Sequence, residues 1–547
     1  MSAEVGGHRP SLQEIRTLPF FPVDESKELR WTSRMIMDRL LRGPVSCCFA
    51  FLFLVSGARA DVKLPALFSD NMVLQQGTRV PVWGWADEGE KVTVTFRGRK
   101  VSTTATKGKW RVTLPVQKVG GPDRFIVEGR NRIELGNVLV GEVWVCSGQS
   151  NMEWSMSRSF EPEKDITGSA NPGLRLFTVP KRRADEPAND VKSSWQECHP
   201  EAVRSFSAVA YYFGRDLQKA RGVPVGLIHT SWGGSPAEVW MSQDVLASNP
   251  RYKTEILDPY PAALKRYQEG IAQWEKETAE LKSEDKQPAR GRPGAIWKPA
   301  ELYNGMIAPL IPYSIKGAIW YQGESNAGRA HQYRNLFTDM IRNWRRDWAQ
   351  DDFPFLAVQL APWDRNKKRS VEEITAAPGD SDWAELREAQ LLATKTLANV
   401  GLAVITDVGD KDDIHPAKKE PVGARLALQA RRIAYGEKIP ASGPLYRSMK
   451  VKGNRAVLSF DNVVGGLETR GGRLRGFSLC GEDGKFVWAN AEIDDDKVSV
   501  SSPLVARPVA VRYGWADYPV VNLFNRAGLP ASPFRTDDFP MITAPKK

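Results

Sequence analysis

The chain has 547 residues, 41% apolar and 26% charged, with 76 Lys and Arg against 65 Asp and Glu and a mean hydropathy of -0.40. That length suits about two to four packed domains, and the composition excludes a chain disordered throughout or built from many membrane spans. The net charge of +11 is interspersed along the chain with no long basic block, which gives a solvated basic surface and no nucleic-acid footprint.

Taken in chain order, the first stretch is an address. Arg39 and Arg42 precede an apolar run from Val45 to Val55, and Ala58-Arg59-Ala60 fits a small-x-small cleavage pattern. The run is too short to cross a bilayer comfortably, so residues 1–60 read as an N-terminal extension and signal peptide, with Met35 or Met37 as a more usual start. The mature chain is expected to begin at Asp61, to be exported to the periplasm or beyond, and to have no membrane partner after cleavage.

Residues 61–138 alternate apolar and polar positions in short runs such as Lys91-Val-Thr-Val-Thr-Phe, separated by Gly-rich turns, which predicts a small β domain. Residues 139–436 switch texture. Leu139–Cys146, Val223–Ile228, Lys316–Trp320, Phe355–Leu360 and Gly401–Thr406 read as buried strands. Ser205–Ala220, stopped by Gly222, and Tyr333–Trp348 read as helices. Repeated strand–helix units predict an α/β domain with a parallel sheet covered on both faces. Within it, Tyr252–Pro299 is rich in Lys, Glu and Ala and reads as an inserted helical hairpin, about 252–300. Residues 437–547 return to short strands and a C-terminal β domain.

Beyond residue 60 the cysteines are Cys146, Cys198 and Cys480, too sparse for a disulfide framework; one bridge and three buried thiols are equally compatible with them. The histidines there are His199, His229, His331 and His415, none at metal-binding spacing, so no metal and no cofactor is expected.

In an open α/β sheet, ligands bind beyond the carboxyl ends of the strands. Four predicted strands end in Ser147-Gly-Gln-Ser-Asn-Met, Ser231-Trp-Gly-Gly-Ser, Tyr321-Gln-Gly-Glu-Ser-Asn and Asp407-Val-Gly-Asp-Lys-Asp-Asp-Ile-His-Pro. Each alone is an ordinary turn. Together they supply what acyl transfer needs: a nucleophile, small residues with free N–H groups, polar donors, and a base with a carboxylate beside it. His229 closes an apolar strand and reads as a wall or core residue.

These blocks, with Gly226-Leu-Ile-His-Thr-Ser-Trp-Gly-Gly-Ser-Pro-Ala-Glu-Val-Trp, Leu302-Tyr-Asn-Gly-Met-Ile-Ala-Pro-Leu and Asp413-Ile-His-Pro, resemble the sialate O-acetylesterase family, a carbohydrate-esterase branch of the SGNH hydrolases. The resemblance runs from about Leu64 to Arg535. It implies an SGNH, flavodoxin-like parallel sheet flanked by N- and C-terminal β-sandwich-like regions. It also implies removal of O-acetyl groups from acetylated mono-, oligo- or polysaccharides. Ser150 matches the nucleophile and His415 the general base. The oxyanion hole would use the Ser150 N–H, the Gly234 N–H and a side chain, Gln322 or Asn326, because Gly323-Glu-Ser-Asn replaces the wider clan's usual block. The carboxylate beside His415 has three candidates: Asp412, preferred from the clan's spacing, Asp413 and Glu324. Trp232, Trp240 and Trp320 are candidates for the sugar-facing wall, and Arg387 for a substrate contact. A short-chain lipid or aryl esterase, and a non-catalytic carbohydrate-binding protein, are the competing readings.

Overall fold

The computed structural model describes residues 61–282, 291–366 and 368–545. The signal-peptide features from Arg39 to Ala60 lie outside the described residues.

One strand organises the rest. Arg132–Gly148 runs for 17 residues, straight through the expected boundary at 138/139. Its first half pairs antiparallel with Gly120–Glu128, and Leu139–Gly141 pair parallel with Val73–Gln75. Its second half is the centre of a parallel sheet, flanked by Val225–Ser231 and Gly317–Tyr321. Across that sheet the order is Val400–Ala403, Phe355–Val358, Gly317–Tyr321, Arg132–Gly148, Val225–Ser231, Asn171–Thr178 and Gln196–Cys198. All pairs are parallel except the last, which is antiparallel. With the Asn171–Thr178 and Gln196–Cys198 strands set aside as an outer addition, the order is the flavodoxin-like 2-1-3-4-5.

The strands are apolar without alternation because both faces are covered. Val143, Val145, Ala318 and Trp320 face one core, shared with the helices Ala330–Trp348 and Asp382–Thr396. Trp144, Cys146, Ile319 and Tyr321 face the other, shared with Ala208–Arg221 and Glu420–Tyr435. The period-two pleat thus splits each strand between two hydrophobic layers. The helix starts follow local chemistry: the Ser207 hydroxyl caps Ala208–Arg221 by accepting the Ala210 N–H at 3.1 Å, and Gly222, at φ 64°, ends it.

The insertion differs from the expected hairpin. A π-helical turn at Lys253–Leu257 leads into one long helix, Tyr260–Lys282, and residues 291–298 form neither helix nor strand. The Pro and two Gly in 291–294 cannot sustain a second helical arm. The C-terminal stretch forms two four-stranded sheets and one two-stranded sheet around a core of its own that includes Leu458, Phe477, Val498 and Tyr513. It is bound to the α/β layer by Arg535–Glu388 at 2.8 Å and Arg512–Asp380 at 2.9 Å. All three cysteines beyond residue 60 are buried and free.

Candidate active site

Ser150 opens a helical turn, Ser150–Glu153, two residues past the central strand. The turn depends on Gly148: its φ is 141°, and a Cβ there would lie 2.2 Å from the Tyr321 carbonyl oxygen. The sharp exit places Ser150 at the carboxyl edge of the sheet. His415 reaches it from the loop between Val400–Ala403 and Glu420–Tyr435, with Nε2 2.8 Å from the Ser150 Oγ. The indole of Trp154 stacks on the imidazole, ring centroids 5.2 Å apart and 21° from parallel. Burial, and then the positive charge of Lys419, push the His415 imidazole below its ordinary value, against an opposing pull from Asp413. It is therefore neutral, as a proton acceptor must be, down to lower pH than a free histidine.

Of the three candidate carboxylates, the structure brings Asp413 to the base. Asp413 Oδ1 accepts the His415 backbone N–H at 2.9 Å and lies 3.6 Å from the imidazole Nδ1. Asp412, preferred from spacing, instead pairs with Lys411 at the exposed surface. Glu324 points elsewhere: its Oε1 accepts from Asn151 Nδ2 at 2.6 Å, and its Oε2 is buried with no partner among the described residues. Burial raises the Glu324 carboxyl above its ordinary value.

The two backbone candidates, Ser150 and Gly234, the latter at φ 76°, keep their N–H groups unengaged among the described residues. Gly233 packs against Ser150 so closely that a Cβ would stand 3.2 Å from the Ser150 Cβ, and its N–H is taken by Glu153 Oε2 at 2.7 Å. The two side-chain candidates are spent inside the protein. Gln322 Nε2 donates to Asn326 Oδ1 at 2.7 Å and to the Ser235 carbonyl at 3.3 Å. Asn326 Nδ2 donates to Glu238 Oε2 at 3.0 Å, and its Oδ1 also accepts the Ala237 N–H. Both residues are fully buried, so neither amide is offered to a ligand.

The aromatic candidates divide the same way. Trp232 is half-buried beside Gly233 and packs edge-on against Trp297, centroids 5.5 Å apart, with the Arg183 guanidinium over both rings. Trp240 and Trp320 are fully buried and meet edge-on in the hydrophobic layer that holds Trp344 and Phe355, so they cannot line a sugar site. Arg387 is also fully buried and donates to the carbonyls of Leu360, Ala361, Ala516 and Asp517. It fastens the C-terminal region to the sheet and does not meet substrate. His229 is a core residue whose Nε2 lies 2.6 Å from the Ser231 Oγ, pushed down to about 4 by burial.

Sequence reasoning missed four neighbours of Ser150: Asn151, Glu153, Trp154 and Lys419. Glu153 and Trp154 lie three and four residues past Ser150, where a turn of helix returns them to it, and Asn151 follows it directly. A separate cavity of about 660 Å³ opens between residues 365–380 and the C-terminal strands, bordered by Trp488, Trp515 and Tyr518, and touches none of the Ser150 group. No cluster of His, Cys, Asp or Glu suited to a metal occurs among the described residues.

Residues 290–430 match the family described as "Carbohydrate esterase, sialic acid-specific acetylesterase". The chain is 29% identical to the sialate O-acetylesterase of Rattus norvegicus over 87% of its own length and 95% of the relative's. It is likewise 29% identical to that of Homo sapiens over 86% and 92%. A crystal structure of a carbohydrate acetylesterase from Xanthomonas citri superposes with a TM-score of 0.75 at 37% identity, covering 88% of this chain and 100% of that one. The fold and these likenesses make the protein a carbohydrate esterase. It belongs to the sialate O-acetylesterase family.

Proposed function

We propose that the protein is an exported serine esterase that removes O-acetyl groups from acetylated sugars, sialate or plant-glycan in type, through an acetyl-serine intermediate. The observation that carries this is the 2.8 Å contact between Ser150 Oγ and His415 Nε2 at the carboxyl edge of the sheet, with two unengaged N–H groups beside it. Export rests on the sequence of residues 1–60 alone.

His415 Nε2 takes the hydroxyl proton as Ser150 Oγ attacks the acetyl carbonyl carbon. The N–H groups of Ser150 and Gly234 hold the oxyanion. The tetrahedral intermediate collapses with loss of the sugar oxygen, which leaves as a hydroxyl carrying the proton from His415. Water, deprotonated by the same nitrogen, then attacks the acetyl-enzyme; the bond to Ser150 Oγ breaks, Oγ takes the proton back from His415, and acetate departs. Asp413 favours the imidazolium formed in each half. The Trp232–Trp297 corner, with the Arg183 guanidinium over both rings, supplies an aromatic and cationic surface for a sugar.

The test is acetate release across a panel of acetylated oligosaccharides and aryl esters of rising acyl length. Acetyl esters should be preferred steeply, and Ser150→Ala should lose about three or more orders of magnitude in rate. Rates that rise with acyl length, with no acetate from any glycan, would move the protein to the lipid or aryl esterases. Inertness toward every ester would leave a carbohydrate-binding protein.

A further inference from the structure

We propose that Lys419 is a positioning residue for the Ser150–His415 pair, acting through the side-chain amide of Asn151; this rests on the proposed acetyl-serine reaction. Lys419 is 1% exposed. Its Nζ donates to Asn151 Oδ1 and lies 5.5 Å and 5.4 Å from the Trp154 and Tyr321 ring centres. Asn151 Nδ2 donates in turn to Glu324 Oε1 at 2.6 Å and to the Ile414 carbonyl at 3.0 Å.

The wiring has one sense only. An ammonium donates and cannot accept, and a carbonyl accepts and cannot donate. Lys419 therefore demands the amide oxygen, which turns the two amide hydrogens onto Glu324 and Ile414. With Lys419 charged, a state that burial limits by pushing its ammonium down to about 7, a flipped amide would set its oxygen against two acceptors and its NH₂ against a donor, and every contact would be lost. Asn151 directly follows the nucleophile and Ile414 directly precedes the base. One side chain thus ties the Ser150 turn to the His415 loop, and Lys419 sets which way it points.

The lysine is costly where it stands. Burying an ammonium is unfavourable unless opposite charge and hydrogen bonds compensate, and an apolar side chain of similar size is commonly as stable. The groups facing it are Glu324 from the loop after Gly317–Tyr321, Asp413 from its own approach loop, and Arg158 beyond the nucleophile turn. A buried cation that also feels the like charge of Arg158 is a poor choice for stability alone and a good one for fixing an amide.

The test uses the full chain with a small aryl acetate. Lys419→Met keeps the length and cannot donate; it should lower kcat about 10- to 100-fold, as sub-ångström misplacement of reacting groups does. KM should stay within about twofold, and Asn151→Ala should behave alike. The Lys419→Met/Asn151→Ala variant should be no slower than the worse single variant, because both remove one device. Unchanged kcat in Lys419→Met, multiplied losses in the double variant, or a KM effect larger than the kcat effect would overturn the proposal. If Lys419→Met does not fold because Glu324 loses its counter-charge, Lys419→Met/Glu324→Gln is compared with Glu324→Gln. A further fall in kcat supports the role and equal kcat overturns it. Ser150→Ala in the same series reports on the parent reaction: activity retained there removes the acetyl-serine reading whatever the lysine variants do.

Discussion

Asp413→Asn is the perturbation that best separates this site from a deeply buried triad. The Asp413 side chain is 58% exposed and stands 3.6 Å from His415 Nδ1, in charge contact with the ring but beyond a good hydrogen bond. What it offers the imidazolium is therefore mostly Coulombic, in a medium close to water. At that distance an effective dielectric constant of about 40–80 gives about 1–2 kcal/mol. That corresponds to roughly 5- to 30-fold in kcat, far from the ~10⁴-fold that a buried, Nδ1-bonded aspartate supplies. The same carboxylate accepts the His415 backbone N–H, and the asparagine oxygen can replace it there, so the loop should stay folded. The assay is kcat for an aryl acetate with Asp412→Asn, Asp413→Asn and Glu324→Gln side by side. Asp412→Asn should remain within about twofold of the parent, because its charge is directed at Lys411. A loss near 10⁴ in Asp413→Asn, or a larger loss in Asp412→Asn, would refute the reasoning: the first would mean a direct bond to Nδ1, the second a different loop arrangement during reaction.

The depressed His415 value shifts the acid limb of kcat/KM below about 6.5, the ordinary histidine midpoint, because the neutral base persists to lower pH; a limb above 7 in the pH profile would contradict this. His229 binds its proton near 4 when folded and near 6.5 when unfolded, so the unfolded state takes up more protons in that window. Stability should fall as pH drops from 6.5 to 4, by about 3 kcal/mol in all, and denaturant titrations of His229→Gln should show a flatter slope. Gly233→Ala, whose Cβ would stand 3.2 Å from the Ser150 Cβ, should lower kcat by about 10-fold with little change in melting temperature. Trp320→Ala should cost about 3–5 kcal/mol of stability, whereas Trp232→Ala should leave melting nearly unchanged and raise KM for acetylated oligosaccharides.

The strands, the helices and the Ser150–His415 pair were legible because their signals are local. Apolar runs of strand length, a Ser cap and a Gly stop mark the layers, and each active residue follows a strand. Trp320, Gln322 and Asn326 share one difficulty: nearness in sequence to a motif is not nearness to the ligand. Trp320 adjoins the Tyr321–Asn326 block, but the pleat puts it on the same face as Ala318, under the Ala330–Trp348 helix. Gln322 and Asn326 are the right residue types for an oxyanion hole. They are also the right types to satisfy the Ala237 N–H, the Ser235 carbonyl and Glu238 in a buried turn, and that demand prevails. The partner of His415 turned on one residue of register in a surface loop, which spacing alone does not resolve. Lys419 carried no signal, since the pair Lys418-Lys419 before a helix reads as two solvated charges, and only the fold turns one of them inward.

The 17-residue strand from Arg132 to Gly148 has a consequence for how this chain can be cut and joined. A domain hung on a linker can be lost, swapped or acquired with its neighbour intact. Here the N-terminal β region and the parallel sheet own halves of the same backbone segment, and Ser150 stands just past its end. No excision through that segment spares both. The Gly120–Glu128 pairing also holds the same strand that ends two residues before Ser150. The two regions should therefore melt in one transition, and the small β region is bound to be inherited with the active site as a single piece.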